Sequence, residues 1–277
     1  MPKIKVNDIN LYYEERGVGP AIIFVGGFSA DHSVWNAMVK QYFGSYRVIV
    51  FDNRGAGSSD CPDVPYTAEM LADDVAGLCK ALNIENAHFV GSSMGGHVVM
   101  TLAHLFPNLV KSMVILNSVM KLENFGREYQ LYLDAVYGLL QISDTLPYNT
   151  VVEIYTKSNI GWIFSNKFLN RPGMVEELIE ARKRSEFPMT KAKFRNQRNV
   201  SLTFDASSWV SEIECPCLVI ASDADSVYPP SAVKKVADSI PNAKYCLING
   251  DVGHLPFIEE PARVAREIKT FLAEIRE

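Results

Sequence analysis

No apolar run in this 277-residue chain approaches the eighteen or so residues that a bilayer-spanning helix needs, so no membrane span is expected. No stretch is rich in lysine and arginine, and the formal net charge is −5, which argues against a nucleic-acid partner. The opening segment, MPKIKVNDINLYYEERG, lacks the apolar core of a secretory signal, and a cytoplasmic protein is expected. Cysteine is sparse. The five cysteines are an odd number without framework spacing, as in a reduced protein. Cys215 and Cys217 form C-x-C, but a metal site would want C-x-x-C and a second pair elsewhere, so burial in the core is expected. Neither internal repeats nor low-complexity segments are present.

What is present is ordinary for a globular chain: 48% hydrophobic and 21% charged residues. A chain this long can bury a large core without disulfide or metal, and the length suits one α/β domain with an insertion. KIKV and INLYYEE flank a plausible turn at Asn7-Asp8 and read as a hairpin. AIIFV (21–25) and RVIVFD (47–52) are short continuous apolar runs, as strands buried on both faces require. DHSVWNAMVKQYF (31–43) between them reads as a helix. In 67–83, Met70, Leu71, Val75, Leu78 and Leu82 recur at helical spacing behind Thr67, a suitable cap. A strand at HFV (88–90), a helix after Gly95 and a strand at SMVILN (112–117) continue the alternation.

The alternation stops near Lys121. REYQLYLDAVYGLLQ, TVVEIYTKSN and GMVEELIEARKRSEF look helical, punctuated by Pro147, Pro172 and Pro188. It resumes with strands at CLVIASD (217–223) and KYCLING (244–250) and helices at SAVKKVADSI and EPARVAREIKTFLAEIRE. The expected fold is therefore α/β: a mostly parallel, doubly wound sheet (residues 1–120 and 215–277) with a helical cap (residues 121–214) inserted after the sixth strand.

One short segment bears on chemistry. GSSMGG places Gly91-x-Ser93-x-Gly95 between a strand and a helix. Alone the pattern should occur by chance in about one chain in ten of this length. Its context is what a nucleophilic serine needs: the hydroxyl is thrust out at a sharp strand-to-helix turn, and side chains two residues either side would collide there. Ser92 fails this test, because Val90 and Met94 would flank it. A serine also needs a base. Of the five histidines, His97 and His104 lie along the following helix, His88 starts the strand, and His32 sits near an early helix where it could rim a pocket. His254, in GDVGHLPFIEEP, follows the last strand, where loops after strand C-termini line a parallel sheet's site. A carboxylate must orient the imidazole. The loop SDADSVYPP offers Asp223 and Asp225; Asp225, past the strand end, is preferred.

Serine elbow, acid and histidine in that chain order resemble the α/β-hydrolase superfamily along essentially the whole chain, in its serine-nucleophile branch. VGGF (25–28) resembles the family's oxyanion loop and FDNRGAGSSD (51–60) its D-x-R-G-x-G-x-S segment. The resemblance implies that the backbone N–H groups of Phe28 and Met94 hold the oxyanion, and that no metal or cofactor is needed. Gly26 stands where many members carry histidine, which bears on the rigidity of that loop. Within the superfamily the style is most similar to 3-oxoadipate enol-lactonases and related carboxylesterases. Leu255, following the histidine, departs from the tryptophan usual in C–C bond hydrolases.

The expected activity is hydrolysis of a small-molecule ester or lactone through a Ser93 acyl-enzyme. Gly27, Trp162 and Phe164 are expected to line the substrate pocket, with Phe168 and Tyr137 as further aromatics of the cap; packing within the cap is the competing use of each aromatic. C–C bond hydrolysis, a cofactor-free perhydrolase or haloperoxidase, and a small-molecule receptor with incidental turnover would keep the same residues.

Overall fold

The computed structural model describes residues 3–122, 127–185 and 190–275. Among these, eight strands form one sheet: β1 (Lys3–Val6), β2 (Ile9–Arg16), β3 (Ala21–Val25), β4 (Arg47–Phe51), β5 (Ala87–Ser92), β6 (Val110–Leu116), β7 (Cys217–Ser222) and β8 (Ala243–Ile248). Their order is β1-β2-β4-β3-β5-β6-β7-β8. The β1–β2 and β2–β4 pairs are antiparallel and the others parallel. The helices α1 (Asn36–Val39), α2 (Ala68–Ala81) and α3 (Met94–Leu105) belong to the first half of the framework. An insert of α4 (Arg127–Gln141), α5 (Tyr148–Ile163), α6 (Asn166–Leu169), α7 (Met174–Lys183) and α8 (Lys191–Thr203) follows β6. Then come α9 (Pro230–Ser239), α10 (Pro256–Glu259) and α11 (Pro261–Glu274).

The central strands are apolar at both parities because both faces are covered. Ile22 and Phe24 pack with Trp35, Tyr42 and residues of α1, α10 and α11. Their neighbours Ile23 and Val25 pack on the other side with residues of α2, α3 and α9. All four are fully buried, which is why AIIFV reads as a continuous run and not as an alternation. Thr67 caps α2 by accepting from the Met70 N–H at 3.2 Å.

Two helices differ from expectation. Residues 31–43 do not form one helix: a 3-10 turn at His32–Trp35 leads into the four-residue α1. Trp35 stacks on Phe257 with centroids 4.2 Å apart, so the segment is shaped by plugging the core and not by helical periodicity. The helix α8 was not expected at all. Its buried positions include Asn196, Gln197 and Ser201 beside Phe194 and Val200, so the buried face is half polar and carries little apolar periodicity. Inside the stretch expected as cap, Val200, Phe204, Ala206, Val210 and Ile213 pack into the core of the sheet. Pro188 lies outside the described residues.

Candidate active site

At the end of β5 the backbone turns through Ser93, whose φ of 54° and ψ of −120° are unusual for a residue with a side chain. The flanking glycines are required by contact. A Cβ on Gly91 would sit 2.3 Å from the Gly95 carbonyl oxygen, and one on Gly95 would sit 2.1 Å from that of Val25. The strain is held in place by a Ser93 N–H to Leu116 carbonyl bond of 2.9 Å and by the start of α3 at Met94.

Three loop ends converge beside this turn. His254, 4% exposed, stands with Nδ1 2.8 Å from Asp225 Oδ2. A carboxylate only accepts, so Nδ1 is the donor of this bond and Nε2 is the ring nitrogen left for another partner. The other oxygen, Asp225 Oδ1, accepts from the N–H groups of Val227 (2.8 Å) and Tyr228 (3.0 Å). Tyr228 presents its ring edge to the imidazole, with centroids 5.5 Å apart and planes at 70°. Asp223 faces elsewhere. It accepts from the N–H groups of Gly250, Asp251 and Val252; burial opposes its charge, but these donors prevail and its carboxyl lies below the usual range. Asp223 thus ties the histidine loop to β7, while Asp225 meets the imidazole.

Ser93 and His254 share a cavity of about 270 Å³ with Gly27, Phe28, Tyr129, Asn159, Ile160, Phe164, Leu178 and Arg182, among others. The framework supplies its floor, and α5 and α7 of the insert its roof. Gly27 abuts the serine closely: a Cβ there would lie 3.3 Å from Ser93 Cβ. Among the described residues the backbone N–H of Phe28 meets no acceptor. Phe164 lines the cavity and stacks on Phe168 at 4.8 Å. Trp162, expected to line the pocket, is placed otherwise. It packs against Tyr129 and Tyr132 at 5.8 and 5.4 Å from the last turn of α5, while Phe164, in extended backbone just past that helix, lines the cavity. Tyr137 stacks on Phe194 within the insert.

The profile of the α/β hydrolase fold family matches residues 20–261. The chain belongs to the α/β hydrolase fold family. BpoC of Mycobacterium tuberculosis, provisionally named a non-heme bromoperoxidase, is 30% identical over 274 residues, 97% of this chain and 99% of that protein. A crystal structure of BpoC superposes with a TM-score of 0.82 at 29% identity, covering 97% of each chain. The 3-oxoadipate enol-lactonase 1 of Acinetobacter baylyi is 27% identical over 93% of this chain and 90% of its own length. The structure of Est816, described as an N-acyl homoserine lactone degrading enzyme, has a TM-score of 0.79 at 27% identity over 98% of this chain and 100% of its own.

In this α/β hydrolase the loops are held by residues other than those given a chemical role. Gly26 leaves no histidine to brace the oxyanion-type loop. Instead Asn53 Nδ2 donates to the Gly26 carbonyl at 2.9 Å, and Gln197 Oε1 on α8 accepts from the Ser29 N–H at 2.9 Å. Asn117, at the end of β6, donates to the His254 carbonyl at 3.0 Å and accepts from the Ser222 N–H at 2.9 Å, joining three strand ends. Buried Glu259 accepts from the N–H groups of Gly253 and Ser165 and from the Ser165 hydroxyl, pinning the insert to the histidine loop. Burial raises its pKa against these donors. Asn53 and Glu259 sit within segments already singled out, FDNRGAGSSD and GDVGHLPFIEEP, but at positions those patterns leave open, and Gln197 and Asn117 belong to no motif.

The remaining histidines are engaged away from the cavity. His88 bonds Ser112, and His104 stacks on Trp209. His32 does not rim the pocket: its Nδ1 lies 2.8 Å from buried Asp52. Asp31, His32 and Asp52 place ligand-type atoms within 4.8 Å of one another. Yet Asp52 already accepts from His32 and from the Ser58 N–H, and Asp31 caps Ser33, so the cluster is satisfied internally. Among the described residues no helix is long and apolar enough to cross a membrane.

His97 is fully buried, stacked on Phe204 at 4.3 Å, and neither ring nitrogen has a hydrogen-bond partner among the described residues. Burial pushes its pKa down to about 3. The folded protein therefore holds it neutral where the unfolded chain, titrating near 6.5, takes up a proton. Stability should be flat above that pH and fall below it, by about 1.4 kcal/mol per unit for this group, until the folded pKa is reached. Urea unfolding at pH 7.5, 6, 5 and 4.5 should show His97→Phe losing stability less steeply than wild type. Parallel curves would contradict the assignment.

Proposed function

We propose that this protein is a serine hydrolase that cleaves a carboxylic ester or lactone of a small molecule through an acyl-enzyme. The coarse reading, a hydrolase of the α/β-hydrolase fold, follows from family membership. The observation that carries the finer one is the Asp225–His254 hydrogen bond, formed at the wall of the cavity where Ser93 stands on its strained turn. In this mechanism His254 Nε2 takes the Ser93 proton as Oγ attacks the carbonyl carbon. The carbonyl π electrons move to oxygen, and that oxyanion accepts from the N–H groups of Phe28 and Met94. Collapse expels the alcohol, which takes the proton from His254. Water, deprotonated by the same nitrogen, then attacks the acyl carbon, and the bond to Ser93 Oγ breaks as that oxygen takes the proton back from His254 and the acid leaves. Asp225 stabilises the imidazolium and holds the tautomer. Residues 121–214 act as the cap that chooses substrates, with Phe164 on the acyl wall.

The enol-lactonase and homoserine-lactone relatives support esters and lactones as the class. BpoC supports a second reading, in which hydrogen peroxide intercepts the acyl-enzyme in place of water and a peracid leaves. A panel of 4-nitrophenyl esters from acetate to octanoate, simple lactones and enol-lactones should show turnover without added cofactor. Peroxide-dependent bromination in acetate buffer should stay minor. Turnover only of bromide with peroxide would favour the second reading, and turnover of neither would overturn both. On the same panel, Phe164→Ala should move the preferred acyl length or ring size by the 1–3 kcal/mol, roughly, that apolar contacts give, with small activated esters still cleaved. A loss of about a thousandfold on every substrate, in a folded protein, would mean that the insert supplies a catalytic group.

A further inference from the structure

The cavity roof carries a cation without a carboxylate partner among the described residues. Besides His254, the charged side chains lining the cavity are Asp31 and Arg182. Asp31 is engaged, accepting from the Ser33 N–H and hydroxyl. Arg182, on α7 and half-buried, forms no ion pair with a carboxylate among the described residues; it is the neighbouring Lys183 that meets Glu153 and Glu180. Its contact is the face of Tyr155, with the guanidinium carbon 5.7 Å from the ring centroid. Tyr155 in turn bonds Ser29 of the oxyanion-type loop, hydroxyl to hydroxyl at 3.0 Å, which holds this cation in a set position relative to the loop. One helix away, Asn159 lines the same wall. Its Oδ1 accepts from the Tyr132 hydroxyl at 2.6 Å, so its amide N–H groups are what it can offer to the cavity. The Thr156 hydroxyl proton goes to the Val152 carbonyl, so Arg182 and Asn159 are the nitrogen donors on this wall, beside the hydroxyls of Tyr129 and Ser185.

A partly buried guanidinium without a counter-ion is costly, and a ligand that brings the negative charge would repay that cost. Planar paired donors suit a carboxylate, which accepts two parallel N–H bonds from arginine. We propose that the substrate itself carries a carboxylate, bound by Arg182 and Asn159 while its ester or lactone carbonyl lies at Ser93. The substrate class is then a half-ester of a dicarboxylic acid, or a lactone bearing a carboxylate arm. Arg182 is a specificity-determining residue. This rests on the serine-hydrolase reading above, so its test includes a measurement that needs no turnover.

The discriminating pair is mono-4-nitrophenyl glutarate and its methyl ester, which differ in one charge. Wild type should favour the anionic ester in kcat/KM by roughly tenfold to a hundredfold, the scale of a charge-assisted bidentate contact. Arg182→Gln should reduce that ratio tenfold or more, Arg182→Lys should keep part of it, and Arg182→Glu should invert it. Half-esters of succinate and adipate read the span between cation and serine. Separately, glutarate binding to Ser93→Ala, followed by calorimetry, should vanish when Arg182→Gln is added. A ratio unchanged within twofold in Arg182→Gln, or no glutarate binding to Ser93→Ala, overturns the proposal. If no ester turns over but glutarate binds through Arg182, the hydrolase reading fails and the anion site stands.

Discussion

Ser93→Ala is expected to abolish labelling by a fluorophosphonate probe and to lower ester turnover by about six powers of ten, the scale on which a serine nucleophile's loss is felt. The residue sits where the backbone is held at positive φ between two glycines that admit no side chain, and its hydroxyl lines the cavity shared with His254. Ser92 is the internal control. It is 1% exposed and its Oγ has no partner among the described residues, but it lies within β5, before the turn. Ser92→Ala should keep its labelling. Mass spectrometry of the labelled peptide decides the matter, since both serines fall on one fragment whose adduct can be sequenced. Labelling that persists in Ser93→Ala and disappears in Ser92→Ala would move the nucleophile by one residue and undo the mechanism.

Asp225→Asn should cut kcat/KM by about 10⁴ near neutral pH in a folded protein, the scale of the same change at such a carboxylate elsewhere. The hydrogen bonds say why. Oδ1 of Asp225 faces two backbone N–H groups, so an asparagine at 225 must keep its oxygen there to avoid opposing donors. Its NH₂ then faces His254 Nδ1, where only an acceptor can answer it. The imidazole proton moves to Nε2, and the nitrogen proposed to receive the serine proton is blocked. Asp223→Asn meets three backbone donors instead and no imidazole. It should cost stability, about 1 kcal/mol for a lost acceptor, and leave kcat/KM within about tenfold. Stopped-flow or steady-state hydrolysis of a 4-nitrophenyl ester, with circular dichroism for folding, separates the two. A larger loss at 223 than at 225 would exchange their roles.

These assignments differ in how far local sequence reaches. The turn at Ser93 is a local object: strand, turn and helix follow one another within a dozen residues, and the glycine spacing reflects collisions between near neighbours such as Gly91 and Gly95. The two-sided burial of β3 shows as an unbroken apolar run for the same reason, since each residue's exposure follows from its own parity. The helical periods of α2 and α4 are equally internal to each helix.

Other features exist only between distant segments. Periodicity gives a helix at 150–159, and both Trp162 and Phe164 are expected at the pocket; that Phe164 lines the cavity and Trp162 does not depends on how the end of α5 packs against Tyr129 and Tyr132 on α4. The bracing of Gly26 by Asn53 and of Ser29 by Gln197 spans 27 and 168 positions. Glu259 reaches back 94 positions to Ser165. A hydrogen bond is short and directional, so it is decided by where the chain's turns deliver each end and not by either residue's neighbours. Sequence by itself determined the sheet, the elbow and the chain order of Ser93, Asp225 and His254. Only the tertiary structure decided which aspartate meets His254, which aromatic meets the cavity, and that Arg182 looks into it without a carboxylate beside it among the described residues. Chain order and local geometry survive in a linear text; the pairing of polar groups across the fold does not, because packing chooses the partners.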